Sequence, residues 1–226
     1  MIGTPRVHHR LTDSTNERAK VLAAAGAPNG TLVTADEQSA GRGRQGRVWT
    51  APPASAVLMS LVLRDLDESH ELLPLAAAVA VCEAIPAEAA IKWPNDVWIE
   101  RRKVAGILVE GRPQQGWAVV GVGVNVTTRE FPPELVETAT SLRLAGVPAT
   151  PESVLADLLE SLTEWLSAPP DAVLAAWRSR DALKGERVRW SGGDGTANGI
   201  DDSGALQLET RNGPVTLDAG EVHLRR

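Results

Sequence analysis

Apolar and polar positions run together in some stretches of this chain and alternate in others, and the texture marks its organisation. Arg6 to Leu11 reads as a short strand. Ser14 to Glu17 carries capping-box spacing ahead of an alanine-rich helix that Gly26 stops. Gly30 to Asp36 has the β-branched content of a strand, whereas residues 39–53 lack any hydrophobic period and form a loop. Ala56 to Leu63 is an apolar run that predicts a buried strand, and Ser69 to Ile85 predicts a helix. Three strand-like pieces follow, Ala90 to Trp93, Val97 to Glu100 and Val104 to Arg112, with turns at Pro94-Asn95 and Arg101-Arg102. Gly116 to Val126 adds an apolar strand; Pro151 to Ser167 and Asp171 to Asp181 add two helices.

Beyond Lys184-Gly185 the pattern fragments into short alternating runs: Arg187 to Trp190, Thr196 to Asp201, Ala205 to Arg211, Val215 to Leu217 and Glu221 to Leu224. Gly192-Gly193, Ser203-Gly204 and Asn212-Gly213 punctuate them, and Asn-Gly between strands is a strong hairpin signal. The expected fold is α+β: residues 1–182 form a mostly antiparallel sheet with helices, and residues 183–226 a small β-barrel packed against it.

Composition narrows the function classes. With 226 residues, 43% hydrophobic and 23% charged, the chain suits an ordinary globular core. A net charge of −6 argues against a general nucleic-acid or anionic-membrane binder, so a bound anion needs a local cationic cluster. No apolar run approaches the ~20 residues of a membrane span, and no secretory signal is visible. A single cysteine, Cys82, excludes an internal disulfide and fits a reducing, cytoplasmic setting. His8 and His9 point to opposite faces of a strand while His70 and His223 stand alone, so no metal-ligand spacing exists.

Three segments carry chemistry. In Gly41-Arg42-Gly43-Arg44-Gln45-Gly46-Arg47, glycines permit close backbone approach and arginines supply planar cationic forks. Together they form an anion cradle that can close over a ligand, although a solvated turn has the same composition. In the second, Lys92-Trp93-Pro94-Asn95-Asp96 precedes Lys103-Val104-Ala105-Gly106-Ile107-Leu108-Val109-Glu110. Lys92 and Lys103 are expected on successive strands of a tight hairpin, both reaching one pocket. Asp96 reads equally as an Asx-turn residue. The third, Gly121-Val122-Gly123-Val124-Asn125, lacks the following helix of a dinucleotide fold. Its glycines are expected to clear room beside a ligand.

These motifs, with Asp13-Ser14-Thr15-Asn16, Gln38, Trp49 and Thr140-Ser141-Leu142, occur in an order that resembles biotin protein ligases over nearly the whole chain. The resemblance implies a catalytic domain like that of class II aminoacyl-tRNA synthetases, followed by an SH3-like barrel. It implies adenylation of biotin by ATP, with Mg²⁺ accompanying the nucleotide, and then acyl transfer to a lysine of a biotin carboxyl carrier domain. By the same resemblance Ser14, Thr15, Asn16, Gln38, Arg42, Gly43, Arg44 and Lys103 bind biotin. Arg44, Arg47, Trp49, Asn95 and Asn125 serve the nucleotide, and Arg44, Lys103, Lys92 and Asp96 carry the catalysis. Asp96 would orient or deprotonate the acceptor amine. With the first motif starting at residue 13, no helix-turn-helix domain and no repressor activity are expected. A lipoate or octanoate ligase or transferase on a related scaffold is the rival enzyme. A binding module without turnover and a nucleic-acid-binding module are rivals of other classes. Oligomeric state is left open.

Overall fold

A computed structural model of the protein describes residues 1–66 and 68–225. The strands of the main part are β1 (Arg6–Thr12), β2 (Leu32–Gln38), β3 (Ala56–Arg64), β4 (Ala90–Lys92), β5 (Asp96–Ile99), β6 (Arg102–Arg112) and β7 (Trp117–Asn125). They form one sheet in the order β1-β2-β3-β7-β6-β5-β4. Only β1 and β2 pair in parallel, because helix α1 (Thr15–Ala24) carries the chain across between them. Every other neighbouring pair is antiparallel.

The two faces of the sheet are built differently. Val57, Met59 and Leu61 of β3, with Val120, Val122 and Val124 of β7, share one core with α2 (Leu73–Ala84) and α3 (Pro151–Trp165). Helix α2 is alanine- and valine-rich and buried almost all round, as its composition requires. It starts later than the expected Ser69, because Glu68–Leu72 forms a 3-10 turn and Pro74 lies in the first helical turn. Thr150 caps α3: its hydroxyl accepts from the Ser153 amide at 3.1 Å. On the opposite face, Ala19 and Ala23 of α1 pack on Val33, Val62, Trp117 and Val119. This helix covers only half of its face; the alternating positions of β7 continue past it as Gly121, Gly123 and Asn125. That uncovered half is the floor of the site.

After α4 (Pro170–Arg178), the strands β8 (Arg187–Trp190), β9 (Gly193–Ile200), β10 (Leu206–Thr210), β11 (Gly213–Leu217) and β12 (His223–Leu224) form an antiparallel sheet, β11-β10-β9-β8-β12. The three turns expected from glycine are its three hairpins. Strand β9 begins at Gly193 rather than Thr196, since pairing with β8 holds a glycine-rich stretch that has little strand preference of its own. This sheet packs on the main body: Trp93 Nε1 donates to the Gly204 carbonyl at 3.0 Å. Among the described residues, no helix is long and apolar enough to cross a membrane.

Candidate functional site

The uncovered half of the sheet floors a cavity of about 840 Å³, within the range of small-molecule sites. Strand pairing explains which side chains reach it. Lys92 pairs with Asp96, Asp96 with Gly106, Gly106 with Gly123 and Gly123 with Leu58, so one row crosses β4, β5, β6, β7 and β3 on the cavity face. The neighbouring row is Leu108, Gly121 and Ser60.

The first row ends in charge. Asp96 is buried, with Oδ1 2.6 Å from Lys103 Nζ and Oδ2 3.9 Å from Lys92 Nζ. The two lysines therefore do not lie on successive strands as expected. β5 runs between them, and its carboxylate holds both cations in reach of one space. Burial pushes the Lys92 amine below the ordinary lysine range, a shift that Asp96 opposes. Asp96 opens β5 with its carboxylate committed to these lysines rather than to a local turn. Trp98, two residues on and on the same face, lies under Lys92 at 5.5 Å. Trp98 is part of no motif, yet it lines the cavity; the strand period of two is the signal that places it there.

The second row supports the start of α1. Asn16 Oδ1 accepts from Ser60 Oγ at 2.6 Å, and its Nδ2 donates to Glu110 Oε2 at 3.0 Å. Gln38 Oε1 accepts from both the amide (2.7 Å) and the hydroxyl (3.0 Å) of Thr15. That leaves the Gln38 amino group as the free donor, and only a glycine at 41 admits it: a Cβ there would come within 2.7 Å of Nε2. Ser14 occupies the N-cap position, but the expected capping box is absent. The Ser14 amide donates to Asp13 at 2.7 Å, Glu17 turns to Lys20 and Arg42, and the Ser14 side chain is left to line the cavity. Hydrogen bonds from Arg18 hold the Asp13 carboxyl well below the usual range.

The glycines of β7 do not clear room beside a ligand, as the sequence suggested. A Cβ on Gly121 would lie 2.0 Å from Asn16 Oδ1, and one on Gly123 would lie 2.5 Å from Trp49 Cε2. Their space is taken by protein groups, Asn16 and the Trp49 ring. Trp49 also stands 5.5 Å from Lys103 Nζ. Among the described residues, Trp49 Nε1 and Asn125 Oδ1 are buried without a hydrogen-bond partner, while Asn125 Nδ2 donates to the Thr140 carbonyl at 3.1 Å. An acceptor and a donor thus lie unpaired in the same cavity wall.

The Gly-Arg segment folds on itself, with the Gly43 amide bonded to the Arg47 carbonyl at 2.8 Å and the Trp49 amide to the Gly41 carbonyl at 2.9 Å. Arg44, half-buried and 3.5 Å from Asn95 Oδ1, is made harder to protonate by desolvation. Arg42 pairs with Glu17 and Glu110, and Arg47 with Glu221 of the C-terminal part. Asn95 is oriented by donating to the Ile107 carbonyl at 2.6 Å.

All the candidate residues named from the sequence, from Ser14 to Asn125, line this one cavity. Phe131, Leu135, His223, Leu224 and Arg225 line it too, and none of these was singled out. In the sequence His223 stands alone with no partner spacing; the pairing of β12 with β8 that brings it here is long-range and leaves no local signal. Arg187, on the neighbouring strand β8, does not line the cavity and pairs with Asp194 at 3.1 Å.

Residues 8–126 match the biotin/lipoate A/B protein ligase family, and residues 185–225 match the biotin protein ligase C-terminal domain. The biotin–[acetyl-CoA-carboxylase] ligase of Mycobacterium tuberculosis is 38% identical, the alignment covering 95% of this chain and 87% of that one. The bifunctional ligase/repressor BirA of Bacillus subtilis is 35% identical, over 99% of this chain and 75% of the relative. The solved biotin protein ligase of Aquifex aeolicus in complex with biotin and ATP superposes with a TM-score of 0.85 at 30% identity, covering 99% of both chains. Both sequence and fold therefore place this chain in the biotin protein ligase family.

Proposed function

We propose that this protein joins biotin to protein in two steps: ATP converts biotin to biotinyl-5′-adenylate, and the acyl group then passes to a lysine of a biotin carboxyl carrier domain. The observation that carries the reading is the convergence of Gln38, the Gly-Arg segment and the Asp96-held lysines on one cavity. The names of the relatives favour the biotin activity over a lipoate or octanoate one.

A carboxylate has no good leaving group, and it repels a triphosphate. The site's task is to hold the two together and neutralise charge at the α-phosphorus. The free Gln38 amino group and the Ser14 and Thr15 hydroxyls suit the ureido end of biotin, in a pocket whose wall Asn16 fixes. Arg42, Gly43, Arg44 and Lys103 gather its carboxylate, with Lys92 and Arg47 toward the phosphates. The Asn125 oxygen suits the amino group of adenine, and Trp49 and Asn95 sit beside that wall. Mg²⁺ would travel with ATP, bound chiefly by phosphate oxygens and water. A biotin oxygen attacks the α-phosphorus and pyrophosphate leaves. A neutral lysine amine then attacks the acyl carbon, AMP departs and the amine proton is lost. Asp96 contributes by fixing Lys103 and Lys92, and it offers a buried carboxylate that can orient or take that proton. Residues 183–226 form a second domain that closes one side of the cavity through His223 and Arg225.

The test is purified protein incubated with ATP, Mg²⁺ and either biotin or lipoate, with and without a carrier domain. Biotin-dependent pyrophosphate release and a one-biotin mass gain on the carrier are expected. Absence of both, or preference for lipoate, refutes the reading.

A further inference from the structure

Glu110 ends the second motif and carries no role in the sequence reading, yet its two carboxylate oxygens serve two different parts of the site. Oε2 accepts from the Asn16 amide at 3.0 Å, at the wall of the pocket. Oε1 lies 3.2 Å from both Lys20 Nζ and Arg42 Nη2, and Arg42 belongs to the Gly-Arg segment. Strand pairing explains the position: Glu110 stands opposite Val119, one step along the cavity face from the row of Leu108, Gly121 and Ser60. Its side chain is only 21% exposed, so its ion pairs are less screened than surface ones. Glu17 completes a neutral set of two carboxylates and two cations, bonding Lys20 at 2.7 Å and pairing with Arg42.

We propose that Glu110 is a positioning residue that couples the acid-binding pocket to the Gly-Arg segment. One oxygen holds Asn16 in place, and the other anchors Arg42 so that the segment stays folded over the cavity. The roles of pocket and segment rest on the functional reading above, but the anchoring contact does not. The two oxygens can be separated chemically. Glu110→Gln keeps a carbonyl oxygen for Asn16 while turning the charged anchor into a neutral amide that cannot accept from Arg42 or Lys20. Glu110→Ala removes both.

The experiment compares wild type, E110Q and E110A by limited trypsin cleavage within residues 42–47 without ligand, by biotin affinity and by escape of biotinyl-adenylate. For E110Q, cleavage and adenylate escape are expected to rise about 5-fold, the scale of a lost ion pair, and biotin affinity is expected to fall by no more than that same factor, the part owed to Arg42. For E110A, the same loosening is joined by a loss of biotin affinity of about 10-fold or more, because the buried Asn16 amide loses its shorter contact and keeps only the Leu108 carbonyl at 3.4 Å. Equal cleavage of E110Q and wild type overturns the proposal, as does an equal loss of biotin affinity in both variants. Should E110A not fold, E110Q against wild type still decides, since the Gln side chain has almost the same shape. A wild-type protein that neither binds nor activates biotin defeats the functional reading instead, and the ligand-free cleavage comparison still judges the anchor.

Discussion

Gly121 and Gly123 sit two residues apart on one face of one strand, and each makes room for a different side chain. Replacing each with alanine should therefore damage a different substrate. Neither has a left-handed backbone, so an added methyl tests space alone. At Gly121 the new Cβ would lie 2.0 Å from Asn16 Oδ1, where ordinary contact begins at 3.4 Å, so Asn16 must move by about 1.4 Å. Asn16 cannot turn aside freely. It is buried, with Oδ1 on Ser60 at 2.6 Å and Nδ2 on Glu110 at 3.0 Å, and breaking the Ser60 contact costs about 1–3 kcal/mol. At Gly123 the methyl would lie 2.5 Å from Trp49 Cε2 and 2.8 Å from Cζ2, which pushes the indole off the sheet and away from Lys103. A displacement near 1 Å in a positioning group can lower turnover by about 10²-fold. The assay is initial pyrophosphate release with biotin varied at saturating ATP, and then the reverse. Gly121→Ala should raise the biotin KM by about 10-fold or more with little change for ATP, and Gly123→Ala should do the opposite. If both substitutions shift the same KM, or neither shifts any, the division of the floor between Asn16 and Trp49 is wrong.

Lys103→Ala should lower adenylate formation by about 10²–10³-fold in single-turnover assays while the protein stays folded, because Lys92 remains as a cation beside Asp96. A wild-type rate would remove Lys103 from the chemistry. Arg44→Ala should let biotinyl-adenylate escape roughly 10-fold faster, read as adenylate in the filtrate of a quenched reaction; unchanged retention would contradict the covering role of the segment. Lys92 also makes stability depend on pH. Its folded-state pKa is depressed by burial, so the unfolded chain binds the proton more tightly, and stability rises with pH between the folded and the unfolded value. Lys92→Met should remove that alkaline rise in chemical-denaturation curves; a rise of equal size in the variant would show that burial does not act on Lys92.

Residue chemistry and local spacing determined much of this protein. The strands, the glycine hairpins and the membership of the site were legible because periodicity, turn residues and the Gly-Arg, Lys-Trp-Pro-Asn-Asp and Gly-Val-Gly-Val-Asn segments carry local signals. Tertiary structure decided what each residue does with its neighbours. Only pairing across three strands puts Asp96 between Lys92 and Lys103, and only tertiary packing assigns the spaces at Gly121 and Gly123 to Asn16 and Trp49 and draws Glu17 from a capping box into a pair with Arg42. The entry of His223 and Arg225 into the cavity likewise follows from β12 pairing with β8 and the packing of that sheet on the main body. The physical reason is range. A turn or a strand period is set by atoms a few residues apart, whereas a cross-strand neighbour is chosen by register and burial over the whole sheet.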